Sequence, residues 1–418
     1  MRALHHRNFA LFWTGALVSN TGGWVQNVTI PFVVFQLTDS PAWVGLAGFA
    51  QLIGAWLMGP VGGSLADRYP RRTILLVTQT ALAGIAFLLW AMWAAGVRSP
   101  TAIIAVVAVS GLVSGIMIGS WQAFVSELVP REDLLNAVTL NSAQFNAARA
   151  FGPAVGGVVL ATLGPAWSFF LNGVSFAAVI GALALIRVPR LVERGAARPG
   201  IMRDLASTLR YIRGMPGIRV CIAVVLALGA LGSPVFTLIV VFADEVFDVG
   251  ATEFGILSAS LGIGAILATP LIAGPGSGML RSRLIGVGLI VYGCALMGFA
   301  LAPNYWFGAA ALMAAGGGYL AIASTLNTTI QLQVAENMRG KVLAVYVMGL
   351  TGSAPIGALV QGWAAEVIGP RLTVVIAGVV FFLLALALRS TGRLADLDAE
   401  GEELLGAKPA GADPPAHR

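Results

Sequence analysis

Apolar runs of about 20 residues or more recur from near residue 9 to near residue 389, separated by short polar or charged stretches. Each run is long enough to cross ~30 Å of hydrocarbon as a helix. Read this way, the pattern predicts twelve spans: 9–37, 42–65, 73–95, 101–124, 134–162 and 166–187, then 218–243, 252–275, 284–302, 305–329, 342–365 and 371–389. The strict alternation expected of a membrane β-barrel is missing from the pattern. The opening stretch MRALHHRNFALFW runs on apolar to about Leu37 with no small-residue cleavage site after a short core. It therefore reads as an uncleaved first span and not a signal sequence.

Composition agrees with that reading. The chain of 418 residues is 57% hydrophobic and 11% charged, against roughly 25% charged residues in soluble domains. Its formal charge of +6 could suggest nucleic acid, but the distribution argues against it. With both termini inside, Arg98 and Arg371 fall outside and Arg149 falls within a span. All the rest of the 25 Lys and Arg lie on the cytoplasmic side, as the positive-inside rule requires. Asp244, Glu245, Asp248 and Glu253 gather outside. Cys221 and Cys294 lie in apolar runs, and His5, His6 and His417 sit at the termini, so neither a disulfide, a metal site nor a cofactor is expected.

The chain divides into an N-terminal bundle (1–187), a cytoplasmic linker (188–217), a C-terminal bundle (218–390) and a polar tail (391–418) expected to be disordered. The linker holds a short amphipathic helix, Met202 to Arg213, suited to lying on anionic headgroups or to binding a regulator. The bundles resemble each other. A shift of 210 residues superposes Gly45, Ile53, Gly54, Ala55, Leu57, Pro60 and Arg71 on Gly255, Ile263, Gly264, Ala265, Leu267, Pro270 and Arg281. A shift of 205 superposes Gly152, Gly157, Gly164 and Pro165 on Gly357, Gly362, Gly369 and Pro370. A duplicated six-helix unit implies two bundles related by an axis along the membrane normal, with a cavity between them that rocking exposes to each side in turn.

Between spans 2 and 3 the chain reads Gly63-Ser64-Leu65-Ala66-Asp67-Arg68-Tyr69-Pro70-Arg71-Arg72. This resembles the loop motif of the major facilitator superfamily, with Pro70 in place of its usual second glycine. The resemblance implies an all-α membrane protein, with two pseudo-symmetric six-helix bundles and both termini cytoplasmic. Physically, Gly63 permits close helix approach, and Asp67 can accept from the positive N-terminal end of span 11 near Gly340 to Val342. Glu127 can pair with Arg71 or Arg72. Gly63, Asp67, Arg68, Arg71, Arg72 and Glu127 would then latch the bundles in the outward-open state; the alternative is a plain inside-positive loop. In span 5, Gly152-Pro153-x-x-Gly156-Gly157 resembles the signature of exporters and antiporters, with Ala148 where a glycine is usual. Pro153 would kink the helix and the glycines would allow a sealed interface, or serve as ordinary packing. The stretches Val129 to Ala137 and Met338 to Ala344 look like the superfamily's bacterial efflux branch, which includes siderophore exporters of the enterobactin-exporter type and macrolide pumps.

Arg149 lies about 14 residues, or ~21 Å of helix, from the outer end of span 5, near the bilayer midplane. Substrate contact, conformational switching and structural hydrogen bonding all remain open for it. Asn146 shares its stripe. Asn20, Trp24 and Asn27 on span 1, Trp121 on span 4, and Thr237, Asn327 and Tyr346 in the second half complete the candidate cavity, each with helix packing as the alternative. No carboxylate sits at the centre of a span, so Asp67 and Glu127 are the candidate proton sites. No nucleotide-binding loop and no catalytic triad appears. The expected function is export of a bulky amphipathic small molecule (a drug, a siderophore or another secondary metabolite) by alternating access with proton antiport. The protein is expected to be a monomer in contact with membrane lipid, with no nucleic-acid partner, in the bacterial inner membrane. Import of a small nutrient, or lipid translocation on the same fold, are the alternatives.

Overall fold

A computed structural model describes residues 2–186 and 201–398. Its helices are α1 (Arg7–Thr38), α2 (Pro41–Arg68), α3 (Arg71–Ala94), α4 (Pro100–Phe124), α5 (Leu134–Leu185), α6 (Ile201–Gly214), α7 (Pro216–Ala227), α8 (Val235–Val241), α9 (Ala251–Ala273), α10 (Arg281–Ala300), α11 (Tyr305–Gln333), α12 (Glu336–Ile368) and α13 (Pro370–Ser390). Among the described residues, ten helical stretches are long and apolar enough to cross a membrane, counting α7 to α8 as one stretch. This is a multi-pass membrane protein.

Local sequence explains the helix boundaries. Ser40, Ser99 and Asn304 cap α2, α4 and α11, each accepting from a backbone N–H three residues on. Proline occupies the first turn of α2 and α4, where its missing N–H has no intrahelical role. The long α5 is broken at Gly164, whose φ of 81° only glycine adopts freely. The break between α12 and α13 falls at Gly369, with φ 87°. Both glycines precede a proline and are the residues matched by the shift of 205, so the two corners repeat each other in conformation as well as sequence.

Three expectations change. The stretch 218–243 is not one regular helix: a wide turn at Leu228–Gly232 separates α7 from α8, ahead of Pro234. The side chain of Gln361 donates to the freed carbonyls of Ala230 and Leu231 at 3.1 and 2.9 Å, so the interruption leaves them paired. The tail is packed as far as residue 398. Leu397 is fully buried, its carbonyl accepts from Gln333, and the Asp398 carboxylate accepts from Ser282 N–H at 3.3 Å. The rest of the tail, and linker residues 187–200, lie outside the described residues. The expected linker helix is α6, and it docks on protein: Ile212 is buried and the Tyr211 hydroxyl accepts from Ala335 N–H at 3.4 Å, beside the start of α12.

In the first half, α1 packs on α5, α2 on α4, and α3 on both α4 and α5. In the second, α11 packs on α9 and α10, α10 on α13, and α12 on α7. The halves meet chiefly where α2 crosses α12 and α5 crosses α9. These crossings position everything that follows.

Candidate functional site

The two crossings are built from glycine. A methyl group on Gly362 would stand 2.7 Å from Gly45 Cα and 2.8 Å from the Pro41 carbonyl oxygen. One on Gly157 would stand 2.7 Å from Gly255 Cα and 2.6 Å from the Ala251 carbonyl oxygen. Backbones touch because no side chain intervenes. The shifts found in the sequence carry Gly45 onto Gly255 and Gly157 onto Gly362, so one crossing is the internal repeat of the other. Both lie toward the same end of the molecule, that of the Gly164 and Gly369 corners.

The exporter-like segment of α5 therefore has two faces. Gly152 and Gly156 seat α1: methyl groups there would come within 2.5 Å of Trp24 Cβ and 3.0 Å of Val25 Cα. Gly157, with the Pro153 carbonyl, seats α9 of the other half. Trp24 is thus partly a packing residue on the Gly152 surface.

A clasp that the sequence reading left unassigned reinforces the same end. Glu366, near the end of α12, accepts from the Ser40 hydroxyl at 2.7 Å and the Ala42 N–H at 3.3 Å, so it caps α2 from across the interface. A capping carboxylate at a helix start contributes ~0.5–2 kcal/mol. Glu366→Ala should therefore loosen this end. Maleimide labelling of a cysteine at Ala365, buried beside Glu366 in the closed end, should speed up several-fold, and an unchanged rate would show the clasp to be idle.

The opposite end carries the charged loop. Arg71 Nη1 donates to Glu127 at 2.7 Å and approaches the Ala123 carbonyl, tying α3 to the end of α4. Arg72 donates to the Leu183 and Ala184 carbonyls at 2.6 and 3.0 Å, capping the end of α5. Both arginines thus brace the first half from within. Asp67 and Arg68 are exposed, and among the described residues neither side chain has a hydrogen-bond or ion-pair partner. The close approach assigned to Gly63 falls one residue earlier: a methyl on Gly62 would lie 2.4 Å from the Ile116 carbonyl oxygen, whereas one on Gly63 would meet open space. The helical turn points the Gly62 Cα–H at α4, while Gly63 borders α4 with its backbone, its Cα 3.5 Å from where a Gly119 methyl would stand.

At mid-depth, Arg149 reaches from α5 into the second half, its guanidinium 5.9 Å from the centre of the Tyr319 ring on α11. The Tyr319 hydroxyl lies 3.3 Å from that of Ser233, and its ring lies beside Phe236 and Tyr292. Sequence reasoning missed this group, because nothing along the chain links Tyr319 to Arg149. Thr237 also sits between the halves, 3.2 Å from where a Gly48 methyl would stand. Asn146 and Asn27 are exposed, and Asn27 accepts from Gln51 at 2.9 Å. The Asn20 amide nitrogen is buried with no partner. Asn327 accepts from Gln331 one turn along its own helix.

Two further candidates make packing contacts in this conformer. Tyr346 is buried and donates to the Ala323 carbonyl at 3.0 Å, bracing α12 on α11. Trp121 packs on Phe12, ring centres 4.9 Å apart, at the margin of a core within the first half. An aromatic side chain on a helical stripe suits a core and a cavity equally; here Tyr346 lies in the core, while Trp121 stays partly exposed at the margin of one.

The comparisons agree with this architecture. The family MFS_3, described as transmembrane secretion effector, matches residues 1–408. The enterobactin exporter EntS of Salmonella paratyphi A is 27% identical over 402 residues, covering 92% of each chain. The staphyloferrin A transporter of Staphylococcus aureus is 24% identical over 371 residues, covering 88% of this chain and 92% of its own. Among solved structures, a bacterial homologue of the human lysosomal transporter Spinster, inward-facing and unoccupied, superposes with a TM-score of 0.74. It covers 97% of this chain and 99% of its own at 15% identity, which shows a shared fold.

Proposed function

Because the chain belongs to the MFS_3 family of transmembrane secretion effectors, within the major facilitator superfamily, we propose that this secondary transporter exports a siderophore-like small molecule across the bacterial cytoplasmic membrane by alternating access, driven by proton antiport. Counting α1, the two limbs of α5 and the joined α7–α8 as spans gives twelve, six to each half. With both termini cytoplasmic, the Gly164 end lies outside and the Asp67 end inside. Residues 1–187 and 218–390 are the two bundles, and the protein works as a monomer in lipid.

The observation that carries this reading is the asymmetry between the ends. Both glycine crossings and the Glu366 clasp close the outer end, while at the inner end the Asp67 and Arg68 side chains have no partner from the other half among the described residues. That is the arrangement of an inward-facing carrier, with the Asp67 latch released and the α5 segment sealing the closed side. Relatives that move siderophores supply the cargo class. In proteoliposomes, an outwardly directed flux of a siderophore-type chelator should appear when a pH gradient is imposed and vanish when it is collapsed. Flux indifferent to the gradient would remove proton coupling and leave transport standing.

Asp67 and Glu127 are the proposed proton-responsive groups, and Glu127 is held by Arg71 in this conformer. The double variant Asp67→Asn with Glu127→Gln should transport with a response to pH at least several-fold weaker than wild type. A fully retained response would discharge both residues from that role.

A further inference from the structure

The chemistry around Arg149 deepens the transport reading, on which it rests, by specifying what the cargo presents. Arg149 carries a permanent charge and five N–H donors in a planar fork. Among the described residues no carboxylate lies within ion-pair distance of it, and no side chain or carbonyl accepts from it. Its recorded contact is the Tyr319 ring at 5.9 Å, an attraction that leaves every donor free. A charged side chain at this depth is expensive unless it faces water or a counter-charge, and the described residues supply no counter-charge within ion-pair distance.

Placement makes the unpaired fork informative. A methyl on Gly262 of α9 would lie 2.5 Å from Ala150 Cα, so the α5–α9 crossing continues down to the residue next to Arg149. Arg149 thus stands beside the sealed crossing, with its side chain partly exposed. Its partner ring belongs to the other half and is held there by Ser233, Phe236 and Tyr292. The Tyr292 ring is fully buried and its hydroxyl has no partner. The site has a cation from one half, an aromatic platform from the other, and no acid.

We propose that Arg149 and Tyr319 form an anion subsite: the guanidinium fork takes the paired oxygens of a carboxylate-like group, and the flat body attached to that group lies against the Tyr319 ring. A planar two-oxygen anion fits the fork with two parallel hydrogen bonds, which a neutral amide matches poorly and a cation opposes. Rocking the halves would draw the fork from the platform, splitting the subsite and releasing the anion on the far side.

Three probes with one naphthalene ring and three charges test this: 1-naphthoate, 1-naphthamide and 1-naphthylmethylammonium, with binding followed by fluorescence on the full-length protein in lipid nanodiscs. Wild type should bind naphthoate at least tenfold more tightly than the other two. Arg149→Gln should erase the preference without lowering the unfolding temperature, and Arg149→Lys should keep a reduced one. Tyr319→Leu should weaken all three probes together, and Tyr319→Phe should not. Equal affinities in wild type, or a preference that survives in Arg149→Gln, would overturn the subsite. If Arg149→Gln fails to fold, Arg149→Lys decides: an undiminished preference there also overturns it. The transport reading fails separately, if a siderophore-type chelator shows Arg149-dependent binding yet no counterflow in proteoliposomes.

Discussion

Gly362→Leu should reduce transport to background while leaving the protein folded and in the membrane. The position has no room for a side chain, since even a methyl would lie 2.7 Å from Gly45 Cα and 2.8 Å from the Pro41 carbonyl oxygen. Both obstacles are backbone, so no rotamer change relieves them. Overpacking a close-packed contact costs ~1–3 kcal/mol, and here the cost falls only on the conformer in which α2 and α12 touch. A bias of that size shifts a two-state population by ~5- to 150-fold. Transport needs both conformers, so the cycle stalls with the Gly164 end open. Gly157→Leu should act likewise through Gly255, as the repeat requires. Gly84→Leu is the control, because a methyl there meets nothing within 4 Å. Counterflow rates across the three variants, normalised to protein in the membrane, check the prediction. Transport by Gly362→Leu at the wild-type rate would mean this contact never has to form.

Asp67→Asn should cost transport at least tenfold without moving the unfolding temperature. In the present conformer Asp67 is exposed and unpartnered, so neutralising it removes no interaction seen here. The proposed loss lies in the other conformer, where the carboxylate would meet the helix start near Gly340. A charge at a helix N-terminus is worth ~0.3–1 kcal/mol when exposed and up to ~2 kcal/mol when partly buried, and Arg68 would add to the network. Glu127→Gln is the informative contrast. It removes the charge that strengthens a hydrogen bond already made, at 2.7 Å to Arg71, and should lower thermal stability as well as transport. Should Asp67→Asn lower stability and spare transport, the residue has a static role and the latch is withdrawn.

How much of this was legible in the sequence depends on whether a residue's partner lies in the same stretch of chain. Glycines 45, 157, 255 and 362 were visible because duplication had marked them, and the structure pairs them into two equivalent crossings. The Gly-Pro corners at 164 and 369 were visible for the same reason. The choice between Gly62 and Gly63 was not, because adjacent glycines both allow close approach and only the helix azimuth decides which one is used. The packing roles of Trp121 and Tyr346 were not legible either, because an aromatic ring fits a core and a cavity alike. Tyr319 and Glu366 were missed as site residues because each acts on the opposite half. A charge near a span end gives no sign that it caps a helix more than three hundred residues away, as Glu366 does for α2.

The central claim is that the two ends open and close in opposition. Spin labels placed on Leu163→Cys with Leu372→Cys at one end, and on Leu135→Cys with Asn337→Cys at the other, in a chain lacking Cys221 and Cys294, read both ends as interlabel distances. On changing pH or adding cargo, the distance distribution should lengthen at one pair while it shortens at the other. Two pairs that move in the same direction, or neither moving under any condition that supports transport, would contradict the account.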